Sequence, residues 1–138
     1  MISCIINYVQ TLLKIQYPDI NGLQNTGRAP VWCDNSRSWQ YALPFTNVLS
    51  PAAQIHHNGK FHWVVSASLN GHIYVFDSLS TGNLSPSLQI QIASLYRTEV
   101  RSLPVQIPPI QQQSNNVDCG LHAIANLVEF CWSQTSAI

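Results

Sequence analysis

A thiol, an imidazole and a carboxylate can together open an acyl bond, and this chain holds candidates for all three in Cys119, His62 and Asp77. Cys119 follows a polar, turn-rich run, Gln111 to Asp118, and an apolar-periodic segment starts at once. Leu121, Ile124, Ala125 and Val128 recur at helical spacing, which predicts a helix burying that face. Asp118 occupies the N-cap position, so Cys119 falls in the first turn. Unpaired N–H groups and the positive end of the helix dipole stabilise a thiolate there. Cys119 is therefore a candidate nucleophile.

A hairpin supplies the base and its orienter. The aromatic and β-branched run from Phe61 to Ser68 and the run from His72 to Asp77 flank Asn70-Gly71, the signature of a two-residue turn. That turn pairs Leu69 with His72 and brings Asp77 opposite Val64. His62 becomes the diagonal neighbour of Asp77 on one face, roughly 7–8 Å away and within reach of a side-chain hydrogen bond. Asp77 can then hold one ring nitrogen while the other faces Cys119, the logic of a Cys-His-Asp triad. A slip of one residue would break the parity, so the register carries the inference. His56, His57, His72 and His122 compete as bases, but only His62 shares a face with an acid across a hairpin.

The remaining elements must position these groups. Ile2, Ile5, Ile6, Val9, Leu12, Leu13 and Gln16 follow helical spacing up to Pro18, predicting an amphipathic scaffold helix. Asn21-Gly22 and Thr26-Gly27 read as turns, and Trp32 and Trp39 as core anchors. Ala52 to His56 reads as a short strand and Asn58-Gly59 as a turn. After a loop at Ser80 to Asn83, Ser85-Pro86 reads as an N-cap with Pro in the first helical position. Leu88, Ile92, Leu95 and Tyr96 form the apolar face of that helix. A last strand is expected within Val100 to Ile107, at an edge or bulge because of Pro104.

Composition excludes several classes. Hydrophobic residues make up 46% and charged ones 9%, so the chain folds rather than staying disordered. Six Lys plus Arg and a net charge of zero argue against a nucleic-acid surface. The four cysteines, Cys4, Cys33, Cys119 and Cys131, show no metal-type spacing, so neither zinc nor another metal is expected. Cys4 and Cys131 lie in helical patterns, as reduced, buried thiols would. Neither a signal peptide nor an apolar run of membrane-spanning length is present, so a soluble intracellular protein, nuclear or cytoplasmic, with no membrane partner is expected.

The order His62-Trp63, Val75-Phe76-Asp77-Ser78-Leu79, Gln113 and Asp118-Cys119-Gly120 resembles the ubiquitin-like-protein-specific cysteine proteases. These are the sentrin-specific or SUMO proteases, with adenovirus protease as a distant relative. The match covers Gln54 to Cys131, and Tyr8 to Gln24 more loosely resembles divergent, transposon-associated members. The resemblance implies an α+β fold: a papain-like cysteine peptidase core with a small, mainly antiparallel mixed sheet flanked by helices and the nucleophile at a helix N-terminus. It implies His62 as general base and acid, Asp77 as orienter, Cys119 as nucleophile and Gln113 as oxyanion donor beside the Cys119 N–H. It implies Trp63 as a wall of a narrow channel over the substrate's Gly-Gly tail, and Asp118 as a brace rather than a catalytic group. The implied activity is cleavage after the C-terminal glycine of a ubiquitin-like modifier (SUMO, ubiquitin or a relative), without a cofactor and by a monomer. A non-catalytic modifier-binding module and a viral-type polyprotein protease are the competing readings. Family domains are longer and carry an N-terminal Trp-containing signature absent here, so residues 1–138 are expected to be one catalytic domain trimmed at both ends.

Overall fold

The computed structural model of the chain describes residues 2–24, 26, 31–33, 38–40, 51–57, 62–78, 84–96, 105–110, 112 and 119–136. Helix α1 (Ile2–Gln16) leads into a two-residue strand β1 (Asn21–Gly22), and β2 (Val31–Cys33) and β3 (Ser38–Gln40) form a separate antiparallel pair. Strands β4 (Ala52–His57), β5 (Trp63–Leu69) and β6 (His72–Phe76) follow, then helix α2 (Pro86–Leu95), strand β7 (Val105–Gln106) and helix α3 (Cys119–Ser136). The main sheet has the order β1-β4-β5-β6-β7. Its central pairings, β4–β5 and β5–β6, are antiparallel, and the short edge strands β1 and β7 add in parallel. The fold is α+β, with a mixed, mainly antiparallel sheet.

Alternation along β4 and β5 divides the core between the two faces of the sheet. Ala53, Ile55, Val65 and Ala67 pack under α1 and α3, through Ile6, Leu13, Ala123 and Leu127. Val64, Ile73 and Val75 pack under α2, through Leu88, Ile92 and Leu95. Helix α2 begins as its sequence predicts: Ser85 caps it, its hydroxyl accepting from Leu88 N–H at 3.3 Å, and Pro86 takes the first turn. At the end of α1, Lys14 Nζ donates to the Ile20 carbonyl at 2.7 Å.

The helix faces read from spacing hold in part: Ile2, Ile6, Val9 and Leu13 of α1 pack at the core as expected. On α1 the buried stripe is Ile6, Gln10 and Leu13, while Ile5 and Leu12 are about half exposed. Of the expected α3 face, Ile124 packs partly buried against the core, while Leu121, Ala125 and Val128 point outward, with Leu121 59% exposed. The buried face is instead Cys119, Ala123, Leu127, Phe130 and Cys131. Helix α3 carries two apolar stripes, and the one with smaller residues near its start allows close packing. A methyl group on Gly120 would come within 2.8 Å of the Ile2 side chain, so α1 sits directly on the first turn of α3. Cys4 is exposed, not buried, while Cys131 is buried and reduced as expected.

Asn21-Gly22 forms an edge strand rather than a simple turn. Gly22 (φ 89°) and Leu23 (φ 56°) then exit in the left-handed region. Beyond this short strand, Gln10 completes the edge of β4. Its Oε1 accepts from Ile55 N–H and from Gln54 Nε2, both at 3.1 Å, and its Nε2 donates to the Gln24 carbonyl at 2.7 Å. Gln54 Nε2 also donates to the carbonyls of Gln24 at 2.9 Å and Ile55 at 3.0 Å, so this buried edge is closed by a shared set of side-chain bonds. The expected turn at Asn58-Gly59, the loop at Ser80 to Asn83 and the start of the strand before Val105 lie outside the described residues, as do the side chains of Trp32 and Trp39.

On the α2 side, His56 is fully buried. Its Nε2 lies 2.6 Å from Ser66 Oγ and its Nδ1 3.3 Å from Gln91 Oε1, and Ser66 Oγ lies 2.8 Å from the Tyr96 hydroxyl. Burial pushes the His56 pKa from 6.5 down to about 4, partly opposed by the Gln91 hydrogen bond. The unfolded chain therefore takes up this proton first as pH falls. The stability that His56 confers is complete above pH 6.5 and disappears as pH drops towards 4, an effect on the order of 3 kcal/mol. Urea unfolding of the wild type and of His56→Gln at pH 7 and pH 4.5 checks this. The wild type should lose clearly more stability on acidification than the variant, and equal losses would contradict the assignment.

Candidate active site

The hairpin forms in the register that the sequence implies. Leu69 pairs with His72, and Val65 with Phe76. Asn70 (φ 53°) and Gly71 (φ 83°) both take positive φ, the geometry of a type I′ turn, which matches strand twist. His62 and Asp77 sit just beyond the ends of β5 and β6. His62 Nε2 lies 2.7 Å from Asp77 Oδ1, and both side chains are nearly buried. Cys119 opens α3 and is buried beside Trp63 in the core on that side.

The three groups interact. The Asp77 hydrogen bond is the main cause that raises the His62 pKa above 6.5. Partial burial opposes it, and the neighbouring Cys119 thiol and the Asp77 charge add to it. With Nε2–H donated to Asp77, the Nδ1 side of the ring is the one that can exchange a proton with the thiol. An acid, a ring and a thiol in this order can move a proton from sulfur to a leaving group. Among the described residues no group of three His, Cys, Asp or Glu could hold a metal ion, and no helix is long and apolar enough to cross a membrane.

Gln113 and Asp118 lie outside the described residues, as does Gln111. Of the three glutamines Gln112 is described: its Nε2 donates to the carbonyls of Ile110 at 3.1 Å and Asp77 at 3.3 Å, tying the loop before α3 to the carboxylate residue. Trp63 is only 8% exposed and packs in the α1/α3 core, with its Cδ1 3.5 Å from where a Cβ on Gly120 would stand. The rival histidines take other places. His56 joins the network under α2, His72 is exposed at the turn, and His122 is half-buried on α3. His57 packs at a tilt of 55° against Trp63, 4.4 Å between ring centroids. Spacing alone gave no sign of that contact, because it needs the β4–β5 register, which pairs His57 with Trp63.

Because the folded His62 pKa is raised, the stability conferred by the pair is complete below pH 6.5 and declines as pH rises through the folded value. Asp77→Asn should lower the His62 titration midpoint seen by NMR and cost roughly 1.5–3 kcal/mol at pH 6, the usual range for a hydrogen bond to a charged group. An unmoved midpoint would contradict the pairing.

No family model matches the chain. The chain is similar to NEDD8-specific protease 1 of Schizosaccharomyces pombe, at 32% identity over 76 residues, covering 52% of this chain and 17% of that protein. Its fold is similar to that of the SUMO protease Ulp1 with the catalytic cysteine oxidized to a sulfenic acid, with a TM-score of 0.64 at 17% identity over 94% of this chain and 65% of that one. It is also similar to the C-terminal Ulp1 protease domain in complex with Smt3, the yeast ortholog of SUMO, with a TM-score of 0.61 at 16% identity over 94% of this chain and 64% of that one. The chain thus spans under a fifth of the curated relative and less than two thirds of these solved chains.

Proposed function

We propose that this chain, grouped by sequence and fold with the ubiquitin-like-protein-specific cysteine proteases, carries the catalytic unit of a thiol peptidase that cleaves after the C-terminal glycine of a ubiquitin-like modifier. The observation that carries this reading is His62 held 2.7 Å from Asp77, with Cys119 at the start of α3 as a further partner of the ring.

In this mechanism His62 Nδ1 takes the proton of the Cys119 thiol, and the sulfur attacks the carbonyl carbon of the terminal glycine. The C–S bond forms and the carbonyl oxygen becomes an oxyanion. The Cys119 backbone N–H and the Gln113 amide serve as its donors, an arrangement that stabilises such charge by a few kcal/mol in a dry site. As the C–N bond breaks, His62 delivers its proton to the departing amine, a lysine side chain in the case of an isopeptide. Water, deprotonated by the same ring, then adds to the thioester carbonyl; the C–S bond breaks, the modifier leaves with a C-terminal glycine carboxylate, and the ring returns its proton to the Cys119 sulfur. Asp77 keeps the ring in one tautomer and stabilises the imidazolium throughout.

Trp63, buried beside the Cys119 turn, is read as a wall of the slot that admits the modifier's tail. Glycine, having no side chain, suits such a slot. The modifier is of the SUMO, ubiquitin or NEDD8 type, and the protein acts on its conjugates as a monomer without a cofactor. Nuclear or cytoplasmic conditions suit the reduced thiols Cys4, Cys119 and Cys131.

Modifiers bearing a C-terminal electrophile should form an adduct at Cys119, and a panel of them identifies the modifier. Cys119→Ala should abolish both the adduct and cleavage of modifier fusions, and His62→Ala should slow cleavage at least about a thousandfold. Undiminished cleavage by Cys119→Ala would overturn the reading.

A further inference from the structure

We propose that His57 is a positioning residue for the site just described: packed at a tilt against Trp63, it holds the indole against the first turn of α3 and so sets where Cys119 stands relative to His62. The inference rests on the reading of Cys119 and His62 as a reacting pair.

Four observations carry it. His57 and Trp63 are register partners across β4 and β5, and their rings lie 4.4 Å apart at 55°, a tilted aromatic contact. The indole Cδ1 lies 3.5 Å from where a Cβ on Gly120, the residue after Cys119, would stand. Trp63 is also the residue after His62, so one indole touches the elements that carry both reacting groups. Finally, the His57 backbone is pinned from the opposite face of the sheet. Gln91 of α2 donates its Nε2 to the His57 carbonyl at 2.8 Å, while its Oε1 faces His56 Nδ1 at 3.3 Å. Helix α2 thus fixes the end of β4, the end of β4 fixes the His57 ring, and the ring backs Trp63.

A neutral ring serves this purpose. Burial and then the charge of His62 hold the His57 pKa below 6.5, while that of His62 is raised, so as pH rises His57 loses its proton before His62 does. Two imidazolium rings side by side would repel each other and loosen the contact.

The test is the rate at which iodoacetamide alkylates Cys119 at pH 7, followed by peptide mass spectrometry in a Cys4→Ser background because Cys4 is exposed. His57→Ala should slow the Cys119 adduct on the order of tenfold, whereas His57→Phe, which keeps a ring on Trp63, should stay within about threefold of the parent. A folded His57→Ala that reacts at the parental rate would overturn the proposal, as would a His57→Phe as slow as the alanine variant. Should His57→Ala fail to fold, His57→Gln replaces it: slow alkylation beside a fast His57→Phe supports the proposal, and equal rates overturn it. His62→Ala separates the two readings. If it leaves Cys119 alkylation unchanged, the reacting pair itself fails. If it slows alkylation while His57→Ala does not, only the role of His57 fails.

Discussion

The hydrogen bond between His62 and Asp77 depends on a turn of two residues. Asn70 and Gly71 both adopt positive φ, which lets the strands close in their native twist without an extra residue. Because strand side chains alternate with a period of two, that closure decides which face each residue takes for the length of the hairpin. A shift of one position would send Asp77 to the face opposite His62 and leave a buried carboxylate without its partner. The pair is therefore a consequence of backbone geometry several residues away, and the chemistry proposed for Cys119 rests on it.

The two layers around the sheet support that geometry differently. Under α1 and α3 the contacts are close and apolar: Gly120 lets α1 approach the first turn of α3, and Trp63 packs against the same turn. Under α2 the core contains a polar chain, Gln91–His56–Ser66–Tyr96, whose members satisfy one another. Such a chain contributes modest net stability but strongly disfavours any arrangement that leaves one member unpaired. It thereby locks α2, β4 and β5 in a single register. Gln10 does similar work at the edge of β4, where β1 is too short to pair with Ile55.

What could be read in the chain follows from how local the determining physics is. The hairpin, the Ser85-Pro86 helix start and the helix ending before Pro18 are each set by residues adjacent in sequence, and each appears in the structure. The His62–Asp77 pair was legible because one turn fixes it. The inward face of α1 was legible in part, through Ile6 and Leu13, but that of α3 largely was not, because α3 carries more than one apolar stripe. The strand at Asn21-Gly22 was likewise hidden, since its pairing with Ala52 and Ala53 joins distant parts of the chain. The His57–Trp63 contact needed a second strand register, one not fixed by a two-residue turn. Gln113 was selected from three neighbouring glutamines by family spacing alone.

The central claim is that His62 and Asp77 act on Cys119 as one unit. A double-mutant cycle tests it most directly, with the rate of Cys119 adduct formation measured in the parent, His62→Ala, Asp77→Ala and the double variant. If the carboxylate acts through the ring, removing Asp77 should slow the parent but change nothing once His62 is gone. Independent effects that multiply in the double variant would contradict the claim.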